Sequence, residues 1–163
     1  MIISLVVSLF LAVGCVGSDY IPSLETWEGP SYREIQGRPD ALFALERMFD
    51  KLEWIGSRPV LISGYRSYEY QARLHERDPY WTEPAGCSQH QLGTAFDIGW
   101  WGYGLRSPHD IRLWRELRIL APEYGFEIPY DGTGDMPSEP WHLNYIGERY
   151  EMDRRDSTNR HSQ

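Results

Sequence analysis

Two short segments far apart in the chain decide what it can fold into. Residues 88–97 read Ser-Gln-His-Gln-Leu-Gly-Thr-Ala-Phe-Asp, and residues 139–142 read Glu-Pro-Trp-His. His90, Asp97 and His142 are donor types that suit zinc, and three protein ligands leave one position of a tetrahedral ion open for water. If they share an ion, the fold must carry position 142 to the side of position 97. Gly93 permits a tight turn between the first two, because glycine takes backbone conformations that are costly for other residues. Small Thr94 and Ala95 then let the chain fold back. Glu139 stands just before the third ligand, its backbone restricted by Pro140, as the general base that takes a proton from water and passes it to a leaving amine. These residues imply a metal-dependent hydrolase holding one zinc ion per chain.

Periodicity supplies the elements around them. Pro39 suits a first helical turn, and Leu42, Leu45, Met48, Phe49 and Leu52 recur on one side before Gly56, predicting a helix. Residues 59–63 predict a buried strand and residues 64–66 a turn. Ser67 caps a second helix reaching about Arg77, with Tyr70, Leu74 and Ala72 facing inward. Residues 78–87 form a loop that delivers the first motif, and residues 94–98 alternate like a strand. Residues 100–106 read as a glycine-aromatic loop. Ser107-Pro-His-Asp110 opens a third helix, burying Ile111, Trp114, Leu117 and Leu120 before Pro122 and Gly125 close it. Residues 126–128 and 141–145 are the last predicted strands. Mixed strands and helices without a βαβ repeat predict an α+β fold, a small sheet with helices packed on one side.

The 163 residues support one domain, placed at 31–150, with a polar tail at 151–163. A net charge of -8 disfavours nucleic acid as a partner, since phosphate binding needs a basic face. Residues 2–16 form an apolar run ending in small residues, which reads as a secretory signal over residues 1–18, and the polar stretch 19–30 reads as a linker. The run is shorter than the ~20 residues a membrane-spanning helix needs. Ala12-Val-Gly-Cys15 looks like a bacterial lipoprotein signal, which would lipidate Cys15 and attach the chain to a membrane. The expected location is the periplasm or cell envelope. With Cys15 removed or lipidated, Cys87 is left as a small, partly buried thiol and no disulfide forms.

Each residue has a plainer reading. A lone histidine is more often a satisfied polar side chain than a ligand, so His75, His109 and His161 are set aside. Asp97 could pair with an arginine, Glu139 could sit in a solvated turn, and Arg66 could brace its loop. Arg66 is otherwise the candidate to stabilise an oxyanion or to clamp a substrate carboxylate in a two-pronged contact. Cys87 as a fourth ligand or as a nucleophile would leave Glu139 and His142 unexplained. Tyr80-Trp81 and Trp100-Trp-Gly-Tyr103 flank the first motif, where rings line a core or a cleft equally well.

Taken in order, Ser63-Gly-Tyr-Arg-Ser67 with Gln71, Ser88-x-His-x-x-Gly-x-Ala-x-Asp97, Tyr124-Gly-Phe126 and Glu139-Pro-Trp-His142 resemble the VanY-type D-alanyl-D-alanine carboxypeptidases of the M15 zinc metallopeptidases. The resemblance covers roughly residues 35–147. It implies an antiparallel-sheet α+β fold flanked by helices, zinc on His90, Asp97 and His142, and Glu139 as base. It also implies Arg66 in the substrate site and peptidoglycan stem peptides as substrate; Gln71, Ser88 and Trp141, in the same motifs, are further candidates for substrate binding, and a monomer is expected. Asn144 departs from it, standing where such proteins usually carry arginine. A murein endopeptidase of the same chemistry is the nearest alternative, and a non-catalytic zinc-containing wall-binding module is the next.

Overall fold

The computed structural model describes residues 15–100, 110–130 and 139–147. The expected leader before Cys15, most of the aromatic loop, the Ser107-Pro-His109 helix start and the tail lie outside the described residues.

A two-stranded hairpin, β1 (Glu25–Thr26) with β2 (Gln36–Gly37), leads into helix α1 (Pro39–Trp54). Pro39 and Asp40 open α1, and Ala41, Leu42, Ala44, Leu45, Met48, Phe49 and Leu52 form its buried face. Strand β3 (Pro59–Ser63), helix α2 (Tyr68–Arg77), strand β4 (Ala95–Trp100), helix α3 (Asp110–Leu120), strand β5 (Phe126–Glu127) and strand β6 (His142–Tyr145) follow. β3, β4, β6 and β5 lie in that order in one antiparallel sheet. The α+β class and the antiparallel sheet are therefore as expected.

Alternation along the sheet separates core from site. Phe96 and Ile98 of β4 and Leu143 of β6 point into the core with Leu45, Met48 and Leu52, all fully buried or nearly so. Asp97, His142 and Asn144 therefore occupy the opposite face. Asp97 is paired with His142 on β6 and with Ser63 on β3, so three polar residues form one row across three strands. Ser63 reaches that face through a register shift between Leu61 and Ser63. Ser63 would otherwise share the core-facing side with Leu61; the extra residue turns it over.

Some expectations need correction. Within the stretch read as a linker, Glu25–Thr26 pair with β2, and the Trp27 ring packs edge-on against Phe49 at 5.1 Å. Ser67 caps α2 as expected, its hydroxyl accepting from the Tyr70 amide. Tyr70, however, is exposed, and Gln71 is the buried residue of that helix. A polar side chain turns inward because that face borders the cleft, where the Gln71 amide donates to the Glu83 carbonyl at 2.7 Å. On α3 the buried residues are Leu113, Leu117 and Leu120, with Trp114 partly covered and Ile111 exposed. The apolar stripe is displaced around the helix from the one predicted. Finally, Cys87 is not a free thiol. It is disulfide-bonded to Cys15, so the sulfur expected to carry a lipid is engaged within the fold.

Candidate metal centre and catalytic cleft

Three local structures deliver the centre. Asp97 comes from the middle of β4 and His142 from the start of β6. His90 comes from a short 3-10 turn, Gln89–Leu92, which Gly93 ends in the left-handed region at φ 70°. Gly64 makes the third approach possible. A side chain there would lie 2.5 Å from the Gln36 carbonyl oxygen, so only glycine lets the chain after β3 pass this close to β2. The Gly64 carbonyl then accepts a hydrogen bond from His90 Nδ1 at 2.7 Å, and the Arg66 amide donates to the His90 carbonyl at 3.1 Å.

The three donors converge. His142 Nδ1 is 3.0 Å from Asp97 Oδ1, and His90 Nε2 is 3.5 Å from Asp97 Oδ2. One donor atom from each residue falls within 4.8 Å of the others, and all three residues are buried. Two donors bound at ~2.0–2.1 Å to one tetrahedral ion stand about 3.3 Å apart, so the set is close to the right size. His90 adds an independent test of fit. With Nδ1 bound to Gly64, its Nε2 is buried without a hydrogen-bond partner and faces the other two donors. An orphaned buried nitrogen is costly in a purely structural site; a divalent ion removes the cost.

Burial is the main force on the His90 imidazole and pushes its pKa down to about 4, with the negative Asp97 opposing. The ring is thus neutral, as ligation requires. Burial would by itself raise the Asp97 carboxyl, but the neighbouring imidazoles of His90 and His142 outweigh it and hold it well below the usual carboxylate range. A pH dependence follows for metal-free protein. The unfolded chain protonates His90 near its ordinary value of 6.5 and the folded chain only near 4. Between these values the unfolded state holds the extra proton, so stability falls as pH falls, by about 3 kcal/mol over the window. Urea unfolding of chelator-treated protein across this range should show the slope, and His90→Gln should flatten it. An unchanged midpoint from neutral pH to pH 4 would contradict the burial of a neutral ring.

Around the centre lies a cleft of about 280 Å³, lined by Arg33, Ser63, Arg66, Tyr70, Gln71, Trp81, Glu83, Ser88, Tyr130, Glu139 and Trp141 beside the three donors. Every predicted site residue is gathered here. Arg66 Nη2 donates to Asp97 Oδ2 at 2.8 Å and to Ser63 Oγ at 3.2 Å. Gln71 is almost fully buried and bonded to backbone, so it supports the wall beside Arg66. Trp141 is buried against Trp114, ring centroids 6.1 Å apart. The Glu139 amide donates to the Tyr130 carbonyl at 2.8 Å, while the Glu139 carbonyl accepts from the His142 amide at 3.0 Å. This tight turn sets Glu139 at the cleft next to a donor. Of the flanking aromatics, Trp81 lines the cleft, Tyr80 is exposed and Trp100 packs on the core.

Among the cleft residues that were not foreseen are Arg33 and Tyr130. Arg33 donates to the Ile62 carbonyl at 3.0 Å, from a segment held to β3 by a bridge between Ser31 and Leu61. Tyr130 stacks beside His142, with ring centroids 5.2 Å apart. Burial, then the charges of Glu83, Glu139 and Asp97, push its phenol up to about 12, so it stays a hydrogen-bond donor at neutral pH. Neither sits in a motif. Only the pairing of distant segments brings them in.

Comparison with known proteins places this architecture. Residues 34–148 match the family model VanY, D-alanyl-D-alanine carboxypeptidase. A D-alanyl-D-alanine carboxypeptidase of Enterococcus faecalis is 29% identical over 125 residues, 63% of this chain and 46% of the relative. The chain spans about half the length of the curated relatives it matches. Among solved structures, the LdcB LD-carboxypeptidase superposes with a TM-score of 0.75 at 26% identity, covering 88% of this chain and 78% of LdcB. A vancomycin-resistance D,D-pentapeptidase VanY variant, solved with Zn(II), superposes with a TM-score of 0.68 at 24% identity, over 83% of this chain and 84% of that one.

Proposed function

Because the chain belongs to the VanY family of D-alanyl-D-alanine carboxypeptidases, we propose that it is a zinc carboxypeptidase that removes the terminal D-alanine from peptidoglycan stem peptides. The observation that carries this reading is the convergence of His90, Asp97 and His142 in a cleft that also presents Glu139 and Arg66. The Zn(II) named with the VanY structure supports zinc as the ion. Zinc, when bound, supplies Lewis acidity that makes a water in its open position easier to deprotonate.

This chain's own residues do the rest. Glu139 accepts the proton of the attacking water on its carboxylate and returns it to the leaving amine. Tyr130, a neutral phenol, offers an O–H to the oxygen that gains charge. Arg66, held by Asp97 and Ser63, brings to the cleft a positive charge that suits a terminal carboxylate. That cation favours a carboxypeptidase over an endopeptidase, whose substrate continues past the cut and brings no carboxylate there.

Among the described residues, one chain supplies the three donors, Glu139 and Arg66, which supports action as a monomer. Export belongs to the same proposal, supported by the apolar run at residues 2–16 and by a disulfide suited to an oxidising compartment. A lipid on Cys15 is not part of it, since the same sulfur closes the bridge. Digestion of purified muropeptides with mass detection, alongside metal analysis, tests the reading. Loss of one alanine from pentapeptide stems, with about one zinc per chain, is expected. Conversion of tetrapeptide to tripeptide would reassign the cut to L,D chemistry, and cleaved cross-links would make the protein an endopeptidase. No cleavage with zinc bound would leave a binding module.

A further inference from the structure

The two nitrogens of His142 face different neighbours. Nδ1 points to Asp97 and the converging donors, 3.0 Å from Asp97 Oδ1. Nε2 lies 3.0 Å from the side-chain oxygen of Asn144, which is itself buried. An amide oxygen can only accept. The Asp97 oxygen is an acceptor too, so it is a metal ion on the Nδ1 side that would decide the tautomer: it takes the Nδ1 lone pair and leaves the proton on Nε2, facing the Asn144 oxygen.

We propose that Asn144 is a positioning residue that accepts this Nε2 proton and sets the orientation of His142, and with them the metal affinity of the centre. The proposal rests on reading the cleft as a zinc site. Sheet geometry makes the contact specific. His142 and Asn144 are two apart on β6 and share one face. Asn144 stands opposite Ala95 on β4, while His142 stands opposite Asp97. The methyl group of Ala95 leaves room for the amide to lie beside the imidazole; a larger side chain would compete for that space.

His90 is handled in the same way. Its Nδ1 is tied to the Gly64 carbonyl, leaving Nε2 for the ion. Both imidazoles are thus locked from behind by an oxygen acceptor, one from backbone and one from a side chain. Partners of this kind orient a ligating histidine and raise its basicity, and their removal typically costs about 10–100-fold in metal affinity. Arginine, the residue that the resemblance leads one to expect at 144, has donors only and cannot make this contact. The asparagine is a different solution at that position, with a consequence for the ligand beside it.

Zinc affinity of the full chain, measured by competition with a chromophoric chelator, tests the assignment. Asn144→Leu keeps the size and deletes the acceptor, and zinc binding should weaken about 10–100-fold. Asn144→Asp keeps an acceptor and should bind zinc at least as tightly as wild type. A role confined to folding would lower the unfolding midpoint of the leucine variant without this split in zinc affinity. Nitrogen-15 spectra of the zinc-loaded wild-type protein give a readout independent of any variant: His142 should carry its proton on Nε2 and His90 on Nδ1. A leucine variant that binds zinc like wild type, or a His142 protonated on Nδ1, overturns the role of Asn144 alone. A wild-type chain that takes up no zinc overturns the zinc reading as well.

Discussion

Glu139→Ala is expected to lower release of D-alanine by about 10²–10⁴-fold, the usual contribution of one general acid–base group, while zinc content stays at the wild-type level. The separation of the two readouts follows from the geometry. The backbone of Glu139 is held on both sides, by the Tyr130 carbonyl and the His142 amide, and Pro140 further restricts it. Its carboxylate therefore belongs to the cleft rather than to the group of three buried donors. Loss of a true ligand such as Asp97 would remove metal and activity together. Glu139→Gln should behave like the alanine variant, because an amide keeps the shape but cannot take up the proton. Activity within about tenfold of wild type would remove Glu139 from the mechanism. Retained turnover with lost zinc is not expected for either variant, and loss of zinc would instead make Glu139 a fourth ligand.

The second large effect concerns stability. The Cys15–Cys87 bridge spans 72 residues of sequence, and closing a loop of that length removes enough freedom from the unfolded chain to stabilise the fold by about 4 kcal/mol. Cys15→Ser, Cys87→Ser or reduction should each lower the unfolding free energy by about that amount, or the melting temperature by roughly 10 °C. The neighbourhood adds a local component. The Val16 amide donates to the Gly86 carbonyl at 2.8 Å, and the Gly86 amide donates to the Gln91 side chain inside the turn that carries His90. Thermal melts with and without reductant decide the matter, with the double serine variant as control. Equal midpoints in the two conditions would show that the bridge contributes nothing to the folded ensemble.

How much of this was legible beforehand depended on distance along the chain. The buried face of α1 and the Ser67 cap are encoded within a turn or two, and periodicity reveals them. The metal donors were legible because their residue types are rare in combination and their spacings unusual. The roles of Arg33 and Tyr130 were not, since each reaches the cleft through pairing of segments that no local pattern announces. The irregular register before Ser63 belongs to the same class: a strand read from sequence alternates, and only the partner strand shows where alternation breaks. Tyr70 and Ile111 misled for the opposite reason. Hydrophobicity predicted the covered face of α2 and α3, but α2 turns a glutamine toward a polar cleft and α3 presents Leu113 to the sheet. The disulfide was missed because two cysteines admit one pairing only if both survive into the folded chain.

The bridge constrains the export proposed above. A leader cut away after residue 18 would carry half of the bridge with it, leaving a lone sulfhydryl next to Ser88 and the His90 turn. A cut ahead of residue 15 delivers a chain able to close the ring. If the proposed export removes a leader, the point of scission would decide whether the loop bearing one ligand is moored to the amino end or set adrift.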